Sequence, residues 1–491
     1  GIGGGLFLLH WDAGRNSLVS YDGRETAPMS AAPERFLTPE GQPMKFREAV
    51  FGGLSVGVPG ALKALALAHG KHGKLPWADL FQPAIELASK GFAVSARLNG
   101  LLQRYGPQAF GPVARAYFFD SGGAPRPVES TFTSPALAET FRNIAQNGPA
   151  HFYTGPLAAK IAAKVQNAPN HRGDMTAGDL NSYRAMERPA VCSPYRGYKV
   201  CGMGPPSSGA LTVNQVLRLL APFDLGRAPM NISALHLIAE AEKLSYADRG
   251  RYMADADFVK VPKGLLDEAY LTQRRRLIDP AAAMGRAEPG RPPMEQGVFG
   301  RDDTRENKGT SHISIIDADG NALSMTSSIE GAFGSRLMVA GFLLNNELTD
   351  FSFRPADKAG RPIANRVQPG KRPRSSMAPT LVFGPGGGIH MVTGSPGGSR
   401  IILYVLKTII GHIDWGLEAG ALVRLPNFGS RNGPFEIETG SKLAAMSAGL
   451  AARGHKIKLA PMTSGVHIII RGADGLTGAA DPRREGLAAG D

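Results

Sequence analysis

Thr310 is the chain's clearest candidate for chemistry: it follows Gly309 where an irregular stretch gives way to an alternating β pattern. If the Gly309–Thr310 bond were cut, Thr310 would head a rigid strand. Its hydroxyl would be the nucleophile, and its own α-amine, with a free pKa of about 7.7–8.0, the base. That design needs no histidine–carboxylate pair. The plain alternative is a loop that ends in a strand. A second constellation, Thr393-Gly394-Ser395-Pro396-Gly397-Gly398-Ser399-Arg400, follows a strand pattern and precedes an apolar helix. There the Gly397 and Gly398 amides can face a developing oxyanion, since glycine permits close approach. Its rivals are an ordinary tight turn and a phosphate loop, and no Gly-Lys-Ser/Thr follows to support the latter.

Three further groups carry matching chemistry. Lys371-Arg372-Pro373-Arg374-Ser375-Ser376-Met377 offers two adjacent hydroxyls able to hold a carboxylate, or else a solvated basic loop. Asn345-Asn346-Glu347-Leu348-Thr349-Asp350 offers acceptors after an apolar strand, or else a strand-end turn. Arg24, after Asp22-Gly23, would ordinarily be a surface salt-bridge partner. No one of these five decides a function by itself.

These residues need elements to hold them. Leu6 to His10 reads as a buried strand, and Val19 to Tyr21 returns from the turn at Asp12–Asn16. From about Ala61 to Ala145 the apolar spacing is helical, and it continues near Leu137–Ile144 and Pro156–Val165. Gly204-Pro205-Pro206-Ser207-Ser208-Gly209 opens a helix from Leu211 to Leu220, and a longer one covers Ala234 to Tyr246. Asp279 to Asn307 reads as a linker. A hairpin follows: His312–Ile316 alternates, Asp317–Asn321 turns, and Ala322–Thr326 alternates again. Further strands are expected at Gly341–Leu344, Thr380–Phe383, Gly388–Thr393 and Val466–Ile470, with helices at Ile401–Ile410 and Ser441–Ala452. The sum is a layered α/β protein with antiparallel strands in its C-terminal third.

Composition removes other classes. With 491 residues, 43% hydrophobic and 20% charged, the chain can bury a large core and build a deep site. The net charge of +13 comes from scattered basic residues, with three tryptophans and no aromatic–basic interleaving. It points to attraction of small anionic substrates rather than to nucleic acid. No stretch approaches the roughly 20 apolar residues of a membrane span. Only Cys192 and Cys201 occur, which excludes a disulfide scaffold or zinc cluster. They flank a turn-like stretch and are either a disulfide across a hairpin or two inert thiols. Neither has a local catalytic signature. The opening Gly1-Ile2-Gly3-Gly4-Gly5 looks like the inside of a fold, so a preceding segment, with any targeting signal, is expected to be missing.

Taken in order, the segments resemble the γ-glutamyltranspeptidase family along essentially the whole chain. The matching elements are Gly1–Phe7, Asp22-Gly23-Arg24-Glu25-Thr26-Ala27-Pro28, Pro205-Pro206-Ser207-Ser208-Gly209, and Ala239-Glu240-Ala241-Glu242-Lys243 through Ala247-Asp248-Arg249. Next come Thr310-Ser311-His312, Leu343-Leu344-Asn345-Asn346-Glu347, Arg372–Thr380 and Gly394–Arg400. The resemblance implies an α+β fold, the N-terminal-nucleophile hydrolase αββα sandwich, with two stacked antiparallel sheets between helical layers. It implies a precursor that cleaves itself before Thr310 into a large part, 1–309, and a small part, 310–491, forming one intertwined domain.

Carried over residue by residue, Thr310 would attack the γ-glutamyl amide of glutathione or a related donor, with Gly397 and Gly398 holding the oxyanion and Ser328 supporting the nucleophile. Arg24, Ser375 and Ser376 would bind the α-carboxylate, and Glu330, Glu347 and Asp350 the α-ammonium. The acyl group would pass to water or to an amino-acid or peptide amine, with no metal or organic cofactor implied. Relatives are usually periplasmic or secreted. Ser311 and Ser328 stand where threonines are frequent, and Glu330 where asparagine is often found. Phe353–Pro369 looks like a compact form of the loop that acts as a lid in some members. Two rivals remain: a cephalosporin (glutaryl) acylase of the same architecture, and a non-catalytic relative that binds anionic ligands.

Overall fold

The computed structural model describes residues 1–293, 299–302, 304 and 309–490. In chain order the strands of its two main sheets are β1 (Gly5–Asp12), β2 (Ser17–Gly23), β3 (Met186–Arg188), β4 (Val191–Tyr195), β5 (Tyr198–Gly202), β6 (Thr310–Ile316), β7 (Ala322–Ser328), β8 (Thr380–Phe383), β9 (Ile389–Gly394), β10 (His467–Gly472) and β11 (Gly475–Ala480). One sheet has the order β3-β2-β1-β7-β6 and the other β11-β10-β9-β8-β5-β4. Every pairing in them is antiparallel. Each sheet takes strands from both sides of residue 309.

β1 shows why the opening run is apolar on both faces. Side chains alternate across a strand. Phe7, Leu9 and Trp11 therefore point into the core that also holds Val200, Leu381, Val382 and Met391 of the facing sheet. Leu6 and Leu8 point the other way, onto Ala61, Ala64 and Ala68 of helix α1 (Ala61–His72). Three helices cover the second sheet's side: α2 (Gly209–Leu220), α3 (Ile232–Tyr252) and α4 (Ile401–Ile413). All three contribute to the same core. Layer order is thus helix, sheet, sheet, helix, as expected.

The β6–β7 hairpin has the expected alternation, but its inner face is the polar one. Thr310 and His312 are buried, while Ile313 and Ile315 are 44% and 48% exposed. The inward polar groups are satisfied across the sandwich. His312 bonds Thr326 Oγ1 at 2.8 Å and Ser314 Oγ at 3.1 Å. Ser324 Oγ donates to Thr393 O at 3.0 Å and accepts from Thr380 N at 3.0 Å. A polar seam therefore runs between the sheets behind Thr310.

Other expectations needed adjusting. The helical stretch from Ala61 is broken into five helices, ending with Pro135–Asn147, and two short strands, Phe92–Ala93 and Thr131–Phe132, pair within it. The strand expected at Gly341–Leu344 shrinks to Phe342–Leu343, paired with Met338–Val339. The helix expected at Ser441–Ala452 is a 3-10 turn followed by Ser447–Ala452. Of the linker expected over 279–307, residues 294–298, 303 and 305–307 lie outside the described residues. Its earlier part is pinned down: Ala283 N bonds Arg453 O at 2.6 Å, and Ala287 and Asn432 exchange bonds at 2.8 and 2.9 Å. Cys192 and Cys201 face each other in the β4–β5 ladder, and of the two alternatives the structure shows the disulfide. Among the described residues no helix is long and apolar enough to cross a membrane.

The seam has a pH consequence. Burial first, then His467, pushes the His312 pKa down to about 3, whereas an unfolded histidine titrates near 6.5. Between those values the unfolded chain binds more protons, so this contribution is complete above about pH 6.5 and is lost as pH falls toward 3. Urea midpoints measured from pH 7 to 4 should therefore fall less steeply for His312→Gln than for the parent protein. Equal slopes would show that the ring is not held neutral.

Candidate active site

Thr310 opens β6 directly opposite Ser328 at the end of β7, so the hairpin register alone brings these two residues together. Together with Glu330, Glu347, Asp350, Ser375, Ser376, Met377, Gly398 and Ile401 they line one small cavity of about 20 Å³. Eight of the ten expected site residues thus meet at one place, though they come from five separate stretches of sequence. Gly397 adjoins that place but lines a larger neighbouring cavity. Arg24 lies beneath the acidic wall.

The acidic wall is built on Arg24. This guanidinium, 0% exposed, bonds Glu347 Oε1 through Nη1 and Asp350 Oδ2 through Nη2, the latter at 2.6 Å. It also donates to the carbonyls of Pro373 and Arg374, each at 3.1 Å. Burial works against its charge, but Glu347, Asp350 and Glu25 outweigh that, and its pKa is raised. Glu25 is pushed the other way: burial and then Glu347 raise its pKa well above the carboxylate range. Asn345 fixes the turn that carries the acids. Its Oδ1 accepts from Gly57 N (2.9 Å) and Glu347 N (3.0 Å), and its amide donates to the Gly3 and Gly57 carbonyls at 2.8 Å.

Glu330 is held with φ +69°, a left-handed conformation that costs a non-glycine residue free energy. Its amide donates to Ser328 Oγ at 2.7 Å, and its carboxylate accepts from Asn346 Nδ2 at 2.6 Å. Ser328 is therefore tied to the acidic residue as well as paired with Thr310.

The hydroxyl wall rests on the Pro205–Gly209 element. Ser208 donates to Ser375 O from its amide (2.8 Å) and its hydroxyl (2.7 Å), and Ser207 Oγ donates to Met377 O at 2.6 Å. Arg249, from α3, joins the two pieces, donating to Ser208 Oγ at 2.8 Å and Ser376 Oγ at 2.6 Å. Arg249 sits in one of the family-like motifs, yet no role was expected for it. Its position between hydroxyls appears only once the helix is placed. Gly397 (φ +149°) and Gly398 (φ +60°) both need conformations that favour glycine. They lead through one 3-10 turn into α4, leaving their amides at a helix start, where an anion is favoured. The loop 353–369 is held down by Phe353, which stacks on Phe36 with ring centroids 4.5 Å apart.

One other sequence pattern has to be set aside. Gly53-Leu54-Ser55-Val56-Gly57 fits the Gly-x-Ser-x-Gly pattern of serine hydrolases. Ser55, however, is buried in a 3-10 turn, and its hydroxyl donates to Val50 O at 2.8 Å. That is not an exposed nucleophile between a strand and a helix.

Two stacked antiparallel sheets between helical layers, with a threonine heading an inward-facing strand, define an N-terminal-nucleophile hydrolase fold. The family model for gamma-glutamyltranspeptidase matches residues 1–491, and the chain belongs to that family. The glutathione hydrolase proenzyme of Escherichia coli (strain K12) is 36% identical over 494 residues, spanning 98% of this chain and 82% of the relative. That of Bacillus subtilis (strain 168) is 36% identical over 504 residues, spanning 100% and 84%. Among solved structures, a cephalosporin acylase from Bacillus halodurans superposes with a TM-score of 0.85 at 27% identity, covering 100% of this chain and 87% of its own.

Removing one partner of a buried ion pair strands the other charges. Arg24→Met should therefore lower unfolding stability by about 3–5 kcal/mol, measured by denaturant titration at pH 7. A loss under 1 kcal/mol would show that the acidic wall does not depend on Arg24.

Proposed function

We propose that this protein is a self-processing γ-glutamyltransferase and glutathione hydrolase, cut between Gly309 and Thr310. The observation that carries the proposal is the single cavity shared by Thr310, the acids Glu330, Glu347 and Asp350, and the hydroxyls of Ser375 and Ser376. A γ-glutamyl head is zwitterionic and needs an anionic pole and a hydroxyl or cationic pole on opposite sides, with charge-assisted bonds for each. The acids take the α-ammonium and the two serines the α-carboxylate. Arg24, already bonded to Glu347 and Asp350, contributes by fixing those acids rather than by touching the carboxylate.

After cleavage the Thr310 α-amine is free to act as base. It takes the hydroxyl proton as Oγ1 bonds to the γ-carbonyl carbon, and the Gly397 and Gly398 amides stabilise the oxyanion. The carbon–nitrogen bond then breaks, and the proton leaves with the departing amine. Water or a second amine attacks the resulting ester and restores the threonine hydroxyl. A side chain at Gly309 would sit 2.3 Å from the backbone oxygen of Glu330, so the residue before Thr310 packs closely on the Glu330–Gly331 backbone. Strands of both parts, 1–309 and 310–491, pair with each other in each sheet, which supports one domain built from both parts after the cut. The disulfide fits an oxidising compartment such as the periplasm or the cell exterior.

A second reading is favoured by the likeness to the cephalosporin acylase: a glutaryl acylase, acting on an acyl group without an α-amine. The acidic wall argues against it, because a buried carboxylate facing an apolar acyl chain is costly.

Two experiments test the proposal. Denaturing mass spectrometry should show two fragments meeting at Gly309/Thr310, while Thr310→Ala stays a single 51.9 kDa chain; cleavage persisting in the variant would remove Thr310 from the chemistry. Asp350→Asn should lower kcat/KM for a γ-glutamyl amide at least 100-fold, about 3 kcal/mol, and leave glutaryl-amide turnover within a few-fold. The reverse pattern would establish the acylase.

A further inference from the structure

Arg336 is a buried cation with no counter-charge among the described residues. It is 7% exposed, its Nε and Nη1 have no hydrogen-bond partner, and no carboxylate pairs with it. Burial lowers its pKa to about 10; the Tyr105 side chain works against that shift and Arg47 adds to it. At neutral pH the group is therefore still charged. Other buried arginines of this chain are paired: Arg24 with Glu347 and Asp350, Arg374 with Asp302, and Arg400 with Glu436.

Four rings surround it instead. The guanidinium carbon lies 4.2 Å from the ring centre of Tyr105, 4.8 Å from Phe110, 5.0 Å from Phe51 and 5.4 Å from Phe333. Ring faces attract a cation, but they do not neutralise it. Arg336 also lines a cavity of about 270 Å³, together with Arg115 and the half-buried Lys164, and among the described residues no acidic one lines it. Arg115 is engaged, donating to the carbonyls of Pro107 and Phe110 at 3.0 and 3.2 Å. The cavity shares no lining residue with the one that holds Thr310 or with its larger neighbour.

An uncompensated buried charge is costly, and space for its missing partner lies beside it. We propose that this cavity is a second binding site, distinct from the Thr310 site, for a small carboxylate with an apolar or aromatic body. The carboxylate pairs with Arg336 and Lys164 through charge-assisted bonds. Its body packs on Phe110, Pro112, Val113 and Leu337. A bare inorganic anion would answer the charge but leave that apolar wall and most of the volume unfilled. None of this depends on which acyl group Thr310 accepts.

The test is calorimetric titration of the whole protein with 3-phenylpropanoate and 3-phenylpropanamide, which share a body and differ in charge. The parent should bind the propanoate on the order of ten-fold more tightly than the amide. Arg336→Met and Lys164→Glu should each bring the two affinities within about three-fold of each other. Lys164 is half-buried and outside the Thr310 machinery, so Lys164→Glu decides the question should Arg336→Met fail to fold. Absence of propanoate binding, equal binding of the two ligands by the parent, or an undiminished preference in either variant overturns the inference. The last outcome would assign the ligand to the arginines of the larger cavity, Arg249, Arg400 and Arg431 among them.

Discussion

The site depends on one buried cation. Arg24 closes β2, and its guanidinium holds together the acidic turn at Glu347–Asp350 and the backbone at Pro373–Arg374. Without it, two carboxylates would be buried near each other with no fixed counter-charge, and the loop carrying Ser375 and Ser376 would lose an anchor. The Coulomb gain of such a pair is largely spent on desolvation. What it secures is geometry: the acids keep one orientation.

A second constraint lies in the sandwich interior. Sheets usually face each other with apolar side chains, as they do around Phe7 and Leu381. Near Thr310 the inner faces instead carry His312, Ser324 and Thr326, all buried. Buried polar groups must be hydrogen-bonded, and a satisfied network rigidifies what it touches. The bonds from Ser324 to Thr380 and Thr393 fix β7 against the second sheet. β7 in turn fixes Thr310 opposite Ser328. Thr310 is thus placed by the core of the fold and not by a surface loop.

Much of this was legible in sequence because it is local. The alternation from His312 to Thr326 predicts the hairpin, and the apolar run from Ile401 to Ile410, broken only by Tyr404, Lys407 and Thr408, marks a buried helix. Which face of the hairpin turns inward was not legible, since alternation fixes the period and not the side. Pairing across hundreds of residues was hidden too. Nothing near Arg24 announces Glu347, and nothing near Arg249 announces Ser376. The family resemblance supplied the list of site residues, but it set Arg24 among the carboxylate-binding groups, whereas the structure bonds it to the acids. The strand at Gly341–Leu344 is shorter than expected because Phe342 and Leu344 are buried against helix residues such as Ile144, Phe152 and Ile161 rather than by a long ladder.

Glu330 carries backbone strain inside the site, with φ +69°. Asparagine tolerates a left-handed backbone far better than glutamate does. The same residue donates its amide to Ser328 Oγ and accepts at its carboxylate from Asn346. The result is a third carboxylate lining the cavity. A sandwich shared with an acylase at a TM-score of 0.85 cannot by itself decide between acyl groups with and without an α-amine. That choice falls to a few charges around one threonine, and the proposed γ-glutamyl reading rests on them.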